Sequence, residues 1–212
     1  MSETLVRPSV LRTVDGRTLE MDVRRWMAPA DPVDEALLDR AIGPVLDVGC
    51  GPGRHVASLL DRGTEAMGID TSPTAVRLAR RRGARVAHQS VFDAVPDAGM
   101  WRCALLLDGS IGIGGDPEAL LQRVAELLSE HGRLLVETGH PRRPTEHLDV
   151  RIETAASCGP WFRWSLVSHV DMGAFARASG FRLSDAWEDE GRYFAQLDRR
   201  SFPDHRGGHF RS

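Results

Sequence analysis

Residues 45–55 read VLDVGCGPGRH, an apolar run that opens into glycine at positions 49, 51 and 53. A strand that ends in alternating glycines and runs straight into helix-forming sequence leaves no side chain between its backbone and an approaching ligand. The N–H groups in the first turn of the following helix lack partners within that helix, so they favour acceptor groups in the same crevice. A purely structural turn would use the same glycines, and the neighbouring residues must narrow the choice. A dinucleotide fingerprint wants glycine at the third position beyond Gly51, where Arg54 stands. A phosphate-cradling loop requires Gly-Lys-Ser/Thr, and the chain has no lysine.

On either side of this stretch the pattern alternates. Strands are expected at 45–49, 65–70, 85–89, 103–108 and 133–138, with helices at about 54–62, 73–82 and 117–130. Runs such as CALLLD and RLLVET are almost continuously apolar, as in parallel strands covered by helices on both faces. Upstream, Asp31-Pro32 offers a helix start, and PVDEALLDRAI keeps helical spacing up to Gly43. Asp15-Gly16 lies between two alternating runs, which reads as a hairpin or as an irregular arm. After Thr138 the rhythm breaks into a segment rich in Pro, Arg and His. DVRIETA and WFRWSLV then read as strands around Cys158-Gly159-Pro160. A helix at about 171–179 leads to a closing hairpin through Glu190-Gly191. A hairpin cannot join parallel neighbours, so the last strand, near 192–198, is expected to run antiparallel. The fold class is therefore α/β: a doubly wound, Rossmann-like sheet of seven strands, mostly parallel with an antiparallel last strand. One domain is expected over 1–200, with an N-terminal arm at 1–30, an aromatic-rich insert at 139–168 and a disordered tail at 201–212.

Composition excludes several functions. A net charge of −3 lacks the basic excess that nucleic acid or an anionic membrane would call for, so the expected partner is a small molecule. All 27 basic residues are arginine, which fits a GC-rich, bacterial gene and rules out lysine Schiff-base chemistry. The cysteines Cys50, Cys103 and Cys158 are odd in number and never paired as CxxC, so no disulfide framework and no metal site is expected. The two histidines of HRGGH near the C-terminus are spaced by four, but the glycines between them oppose a metal-presenting helix. With no signal-like or membrane-spanning run, a cytoplasmic location is expected.

An acid ends the second strand in AMGIDTSP, where the Asp70 carboxylate can accept both hydroxyls of a ribose. As a helix cap ahead of Thr71-Ser72-Pro73 it would have a structural role instead. VLDVGCGPGRH, GIDTSP and HGRLLVET together resemble the motifs of class I S-adenosylmethionine-dependent methyltransferases, with a close likeness over about residues 40–138. The resemblance implies S-adenosyl-L-methionine as cofactor, S-adenosyl-L-homocysteine as product and methyl transfer to a small-molecule acceptor. It implies that Asp47, Gly49, Cys50, Gly51 and Gly53 line the cofactor loop, that Asp70 and the adjoining Thr71 hold the ribose, and that Ser90, Val91 and Phe92 meet adenine. Many relatives carry aspartate where Ser90 stands, so a hydroxyl or backbone contact must serve there. Asp108 and Gly109 of LLLDGSIGIGGD fall beside the expected sulfonium; Asp108 could orient the cofactor amine, act on the acceptor, or form the turn.

Transfer from a sulfonium is an in-line displacement that needs alignment and exclusion of water more than a protein nucleophile. Where the acceptor must lose a proton, His140 and Glu137 are the candidate bases beyond the carboxyl ends of the strands, and Asp108 is the third catalytic candidate. His140 in a solvated loop, or His169 near a helix cap, would have no such role. Trp161, Phe162 and Trp164 would give a flat wall or a lid for a planar or apolar acceptor, or else pack in the core. The resemblance also implies that the segment carrying Arg24, Arg25 and Trp26 folds over the cofactor. A cyclase, a lyase, an aminocarboxypropyl transferase or a non-catalytic cofactor-binding protein would retain the same motifs.

Overall fold

The computed structural model describes residues 9–200, and the tail expected to be disordered lies outside the described residues. Strands β1 (Val10–Thr13) and β2 (Thr18–Glu20) form a hairpin, one of the two readings open to this stretch. A five-residue helix, α1 (Val23–Met27), follows; the sequence pattern had not called for it. Helix α2 (Pro32–Leu38) starts in a capping box, in which Asp31 accepts the N–H of Asp34 at 2.8 Å and Asp34 accepts that of Asp31 at 3.0 Å. It ends short of Gly43, because Arg40 and Ala41 tighten into i to i−3 bonds with Leu37 and Leu38.

The alternating units then appear in the expected order. They are β3 (Val45–Val48), α3 (Arg54–Asp61), β4 (Ala66–Asp70), α4 (Pro73–Arg81), β5 (Val86–His88), β6 (Trp101–Leu106), α5 (Pro117–Leu127) and β7 (Leu128–Thr138). Strand β7 begins where helical periodicity still held, since Leu128 pairs with Trp101 of β6 and the sheet overrides local preference. Beyond it come β8 (Glu146–Thr154), β9 (Ser157–Cys158), β10 (Phe162–Leu166), α6 (Met172–Ala178), β11 (Phe181–Asp189) and β12 (Arg192–Arg199).

The main sheet has seven strands in the order β11-β12-β7-β6-β3-β4-β5. Only β12 runs against the others, being antiparallel to both β7 and β11. Strand order reverses between β3 and β6, and in such sheets ligands bind in the crevice at the carboxyl ends beside that switch. Period-two alternation sends Val45 and Leu105 to the face covered by α2, α3 and α4, and Leu46 and Leu106 to the face covered by α5 and α6.

The arm and the insert, read separately from sequence, join in one further sheet of order β10-β8-β1-β2, with β9 paired to β8. Its register puts Leu11, Val150, Ile152, Phe162 and Trp164 on one face, and Arg12, Arg151 and Glu153 on the other. Trp161 belongs to the charged side, where the Arg151 guanidinium lies 4.7 Å from its ring centroid, while Phe162 and Trp164 meet edge to face at 6.1 Å. Among the described residues no helix is long and apolar enough to cross a membrane, and no cluster of metal-ligating side chains occurs.

Candidate active site

All three glycines of the 45–55 stretch adopt left-handed backbone, with φ of 71°, 52° and 77° at Gly49, Gly51 and Gly53. Their surroundings separate them. A Cβ on Gly53 would stand 2.9 Å from the Cβ atoms of Ala79 and Ala84, and one on Gly49 would strike Ser110 Oγ at 2.7 Å. Those two glycines let the turn pack against α4 and the segment after β6. Beside Gly51 there is open space, so this is the position whose bare backbone faces the crevice.

Asp70, at the end of β4, reaches that turn directly: its Oδ2 accepts the Gly51 N–H at 2.8 Å, and its Oδ1 accepts the Ser72 N–H at 2.7 Å. Thr71 is exposed beside it, with its carbonyl 2.9 Å from His88 Nε2. Asp47 and Cys50 turn away. Asp47 shares the face of Val45 and is buried beneath the helices, 3.6 Å from His55 Nδ1, and burial raises its pKa above the ordinary carboxylate value. Cys50 packs its sulfur on β4 so closely that only glycine fits at Gly68, and burial pushes its thiol pKa up. From Cys50 the loop receives backbone alone, and Asp47 stays beneath it beside His55.

At the end of β5, Ser90 Oγ accepts the Phe92 N–H at 3.2 Å, Val91 is buried with its carbonyl bonded to Arg123, and Phe92 leaves its ring about half exposed at the rim. Across the switch point, Asp108 and Gly109 follow β6 in left-handed conformations, φ 53° and 86°. The glycines beyond them make room for the second sheet: a Cβ on Gly112 would lie 2.7 Å from the Trp164 ring. Trp164 therefore sits over the turn after β6.

A cleft of about 280 Å³ opens here, between Asp108, Gly109, Glu137 and Thr138 on the main sheet and Glu20, Arg25, Trp26 and Leu166 on the arm and insert. Arg25 and Trp26 thus border the cleft. Arg82 anchors this part of the arm by donating to the carbonyls of Trp26 and Met27. A wider hollow of about 720 Å³ lies at the opposite, amino-terminal ends of the strands, near Pro44 and Trp101. It has no glycine turn and is remote from the switch-point crevice, so the smaller cleft is the candidate site.

The three catalytic candidates are all engaged. Both oxygens of Glu137 are held by Arg192 at 2.8 Å, and Glu137 also accepts the Asp108 N–H at 2.9 Å. Both oxygens of Asp108 are held by Arg54 Nη2 at 2.8 Å. His140 is exposed against Tyr193, and its Nδ1 accepts the Arg142 N–H at 3.0 Å. The neutral ring then carries its proton on Nε2 and presents a donor, not a lone pair, to the outside. His169 bonds Thr138 Oγ1 at 2.9 Å, and burial lowers its pKa. The sequence pattern missed Asp34 and Arg192; the one signal nearby was Arg54, a buried charge where a glycine fingerprint would end.

Comparison with known proteins agrees with this fold. Residues 45–132 match the family model described as a methyltransferase domain. A ubiquinone biosynthesis O-methyltransferase from Xanthomonas oryzae pv. oryzae is 33% identical over 110 residues, 49% of this chain and 46% of that protein. The chain thus aligns with about half the length of the curated relatives it matches. A methyltransferase from Bacteroides fragilis, crystallised with S-adenosyl-L-homocysteine, superposes with a TM-score of 0.77 at 24% identity, over 90% of this chain and 86% of that one. The 1,6-didemethyltoxoflavin-N1-methyltransferase of Burkholderia thailandensis, with its namesake compound and S-adenosylhomocysteine bound, superposes at 0.62 with 20% identity, over 84% and 81% of the two chains. Residues 45–132 thus match a methyltransferase domain, and the strand order and these likenesses agree in a fold shared with S-adenosylmethionine-dependent methyltransferases.

Proposed function

We propose that this protein transfers the methyl group of S-adenosyl-L-methionine to a small-molecule acceptor held in the cleft between the main sheet and the second sheet. The observation that carries the reading is the joint of Gly51 and Asp70: open space beside a left-handed glycine, and an acid bonded to that glycine's N–H at 2.8 Å. An adenosine-bearing ligand fits that joint. The Gly51 backbone allows close approach, the Asp70 carboxylate accepts ribose hydroxyls, and the half-exposed Phe92 ring offers a flat face to the base. The bound cofactor supplies a methyl group on a sulfonium. The protein aligns an acceptor atom in line with it and keeps water out, and Trp26, Trp164 and Leu166 are the side chains suited to that covering role. Because Asp108, Glu137 and His140 all have partners, alignment rather than a dedicated base is the main contribution of the chain.

Of the relatives named above, one is an O-methyltransferase of ubiquinone biosynthesis and one an N1-methyltransferase of 1,6-didemethyltoxoflavin. A planar or apolar acceptor suits the apolar face of the second sheet, which continues into the cleft at Leu166. The test incubates the protein with S-adenosyl-L-methionine and a panel of phenolic and heterocyclic acceptors. Release of S-adenosylhomocysteine with a methylated acceptor supports the reading. Methylthioadenosine as product would assign a different use of the cofactor, and no binding of S-adenosylhomocysteine in calorimetry would reject it.

A further inference from the structure

Five charged residues from five separate stretches close into a ring at the carboxyl ends of β6 and β7, four links made by side chains and one by the Asp108 N–H. Arg192, at the start of β12, donates from Nε and Nη2 to the two oxygens of Glu137. Glu137 accepts the N–H of Asp108, and the Asp108 carboxylate is gripped by Arg54. Arg54 Nη1 donates to Asp34 Oδ2, and Asp34 Oδ1 accepts from Arg192 Nη1 at 2.9 Å, which completes the circuit.

Burial of such pairs contributes little stability, because desolvation offsets their attraction. The Asp34 side chain is fully buried and that of Arg54 is 2% exposed, so the reason for the ring lies elsewhere. It converges on Asp108, a residue with a side chain held at φ 53°, a conformation that persists only where its surroundings impose it. Asp108 and Gly109 line the cleft, and Arg192 does not. We infer that Arg192 is a positioning residue: through Glu137 it fixes the Asp108–Gly109 turn in the shape that the cofactor and acceptor sites share. Arginine suits the task because its planar fork serves three acceptor oxygens at once, which a lysine ammonium on one flexible stem cannot match. The inference rests on the methyltransferase reading of the cleft.

A plainer role would be to pin the closing hairpin to the sheet. Arg40 provides the control, since it holds the same hairpin through Asp185 at 2.6 Å and stacks on Trp187 at 3.9 Å without entering the ring. The experiment measures S-adenosylhomocysteine affinity by calorimetry together with melting temperature for wild type, Arg192→Met, Arg192→Lys, Glu137→Gln, Arg40→Met and the double variant of Arg192→Met with Glu137→Gln. Arg192→Met is expected to weaken binding about ten-fold, as loss of one charged contact would. Arg192→Lys should recover part of that loss. Glu137→Gln should match Arg192→Met, and the double variant should add little to either, because both act along one chain of contacts. Arg40→Met should lower the melting temperature at unchanged affinity. Wild-type affinity in Arg192→Met, or losses that follow melting temperature in every variant including Arg40→Met, would overturn the inference. If Arg192→Met does not fold, Arg192→Lys and Glu137→Gln decide it by the same comparison. Absence of binding by wild type would instead reject the methyltransferase reading itself.

Discussion

The carboxylate of Asp70 accepts the N–H of Gly51 at 2.8 Å, which makes the acid at the end of β4 and the glycine turn after β3 a single unit. The cap of the following helix belongs to Ser72 and not to Asp70, since the Ser72 hydroxyl accepts the N–H of Ala75 at 3.2 Å. Both oxygens of Asp70 instead brace this joint, one at the glycine turn and one at Ser72.

Asp70→Ala should weaken S-adenosylhomocysteine binding by about ten- to a hundred-fold, the range for loss of hydrogen bonds to a charged group. The melting temperature should fall as well, because the Gly51 and Ser72 N–H groups lose their acceptor. The discriminating measurement is calorimetry with a 2′-deoxyribose analogue, which already lacks one partner and should lose less. Equal losses for the two ligands would leave Asp70 as a brace for the turn alone.

Gly51 and Gly53 should respond differently to substitution. Gly51→Val places a branched side chain in the crevice and a left-handed backbone under about 1–2 kcal/mol of strain, so binding should be lost while the fold survives. Gly53→Ala drives a methyl group into Ala79 and Ala84, and its main effect should be on melting temperature. Calorimetry and thermal unfolding of both variants check the contrast; the reverse pattern would exchange their roles.

Burial raises the pKa of Asp47 in the folded protein, against the smaller opposing pull of His55. The folded state therefore holds this proton more tightly than the unfolded state does. The contribution of Asp47 to stability is most favourable below its ordinary value of 3.8 and declines as pH rises through the folded pKa. Asp47→Asn should be at least as stable as wild type at neutral pH, and its advantage should vanish below about pH 4. Melting temperatures across this range test the sign; an advantage confined to acid would contradict it.

Of the three cysteines, Cys158 alone is exposed. Burial pushes the Cys103 thiol up to about 12 and also raises that of Cys50, so neither is a thiolate at neutral pH. One thiol per chain should react rapidly with a disulfide reagent under native conditions, and three after denaturation. A second fast thiol in the native protein would contradict the packing of Cys50 against Gly68.

What the sequence determined by itself was local or nearly so. Glycine spacing after β3, the acid after β4, apolar runs of strand length and the hairpin at Glu190-Gly191 specify alternating units and an antiparallel end, because each depends on residues a few positions apart. Boundaries moved where a partner intervened, as when β6 drew Leu128 out of the helical pattern, or where a last turn tightened, as at the end of α2. The tertiary structure decided which way side chains point and which distant groups meet. Asp47 and Gly51 lie four residues apart in one motif, yet strand alternation buries the first under the helices and the turn opens the second to the crevice. The pairing of arm with insert joins Leu11 to Ile152 across 141 positions, and the ring through Asp34, Arg54, Asp108, Glu137 and Arg192 draws on five stretches of chain. No period in the sequence encodes such meetings, since they arise only when the sheet sets its strand order and brings the ends of β6, β7 and β12 together.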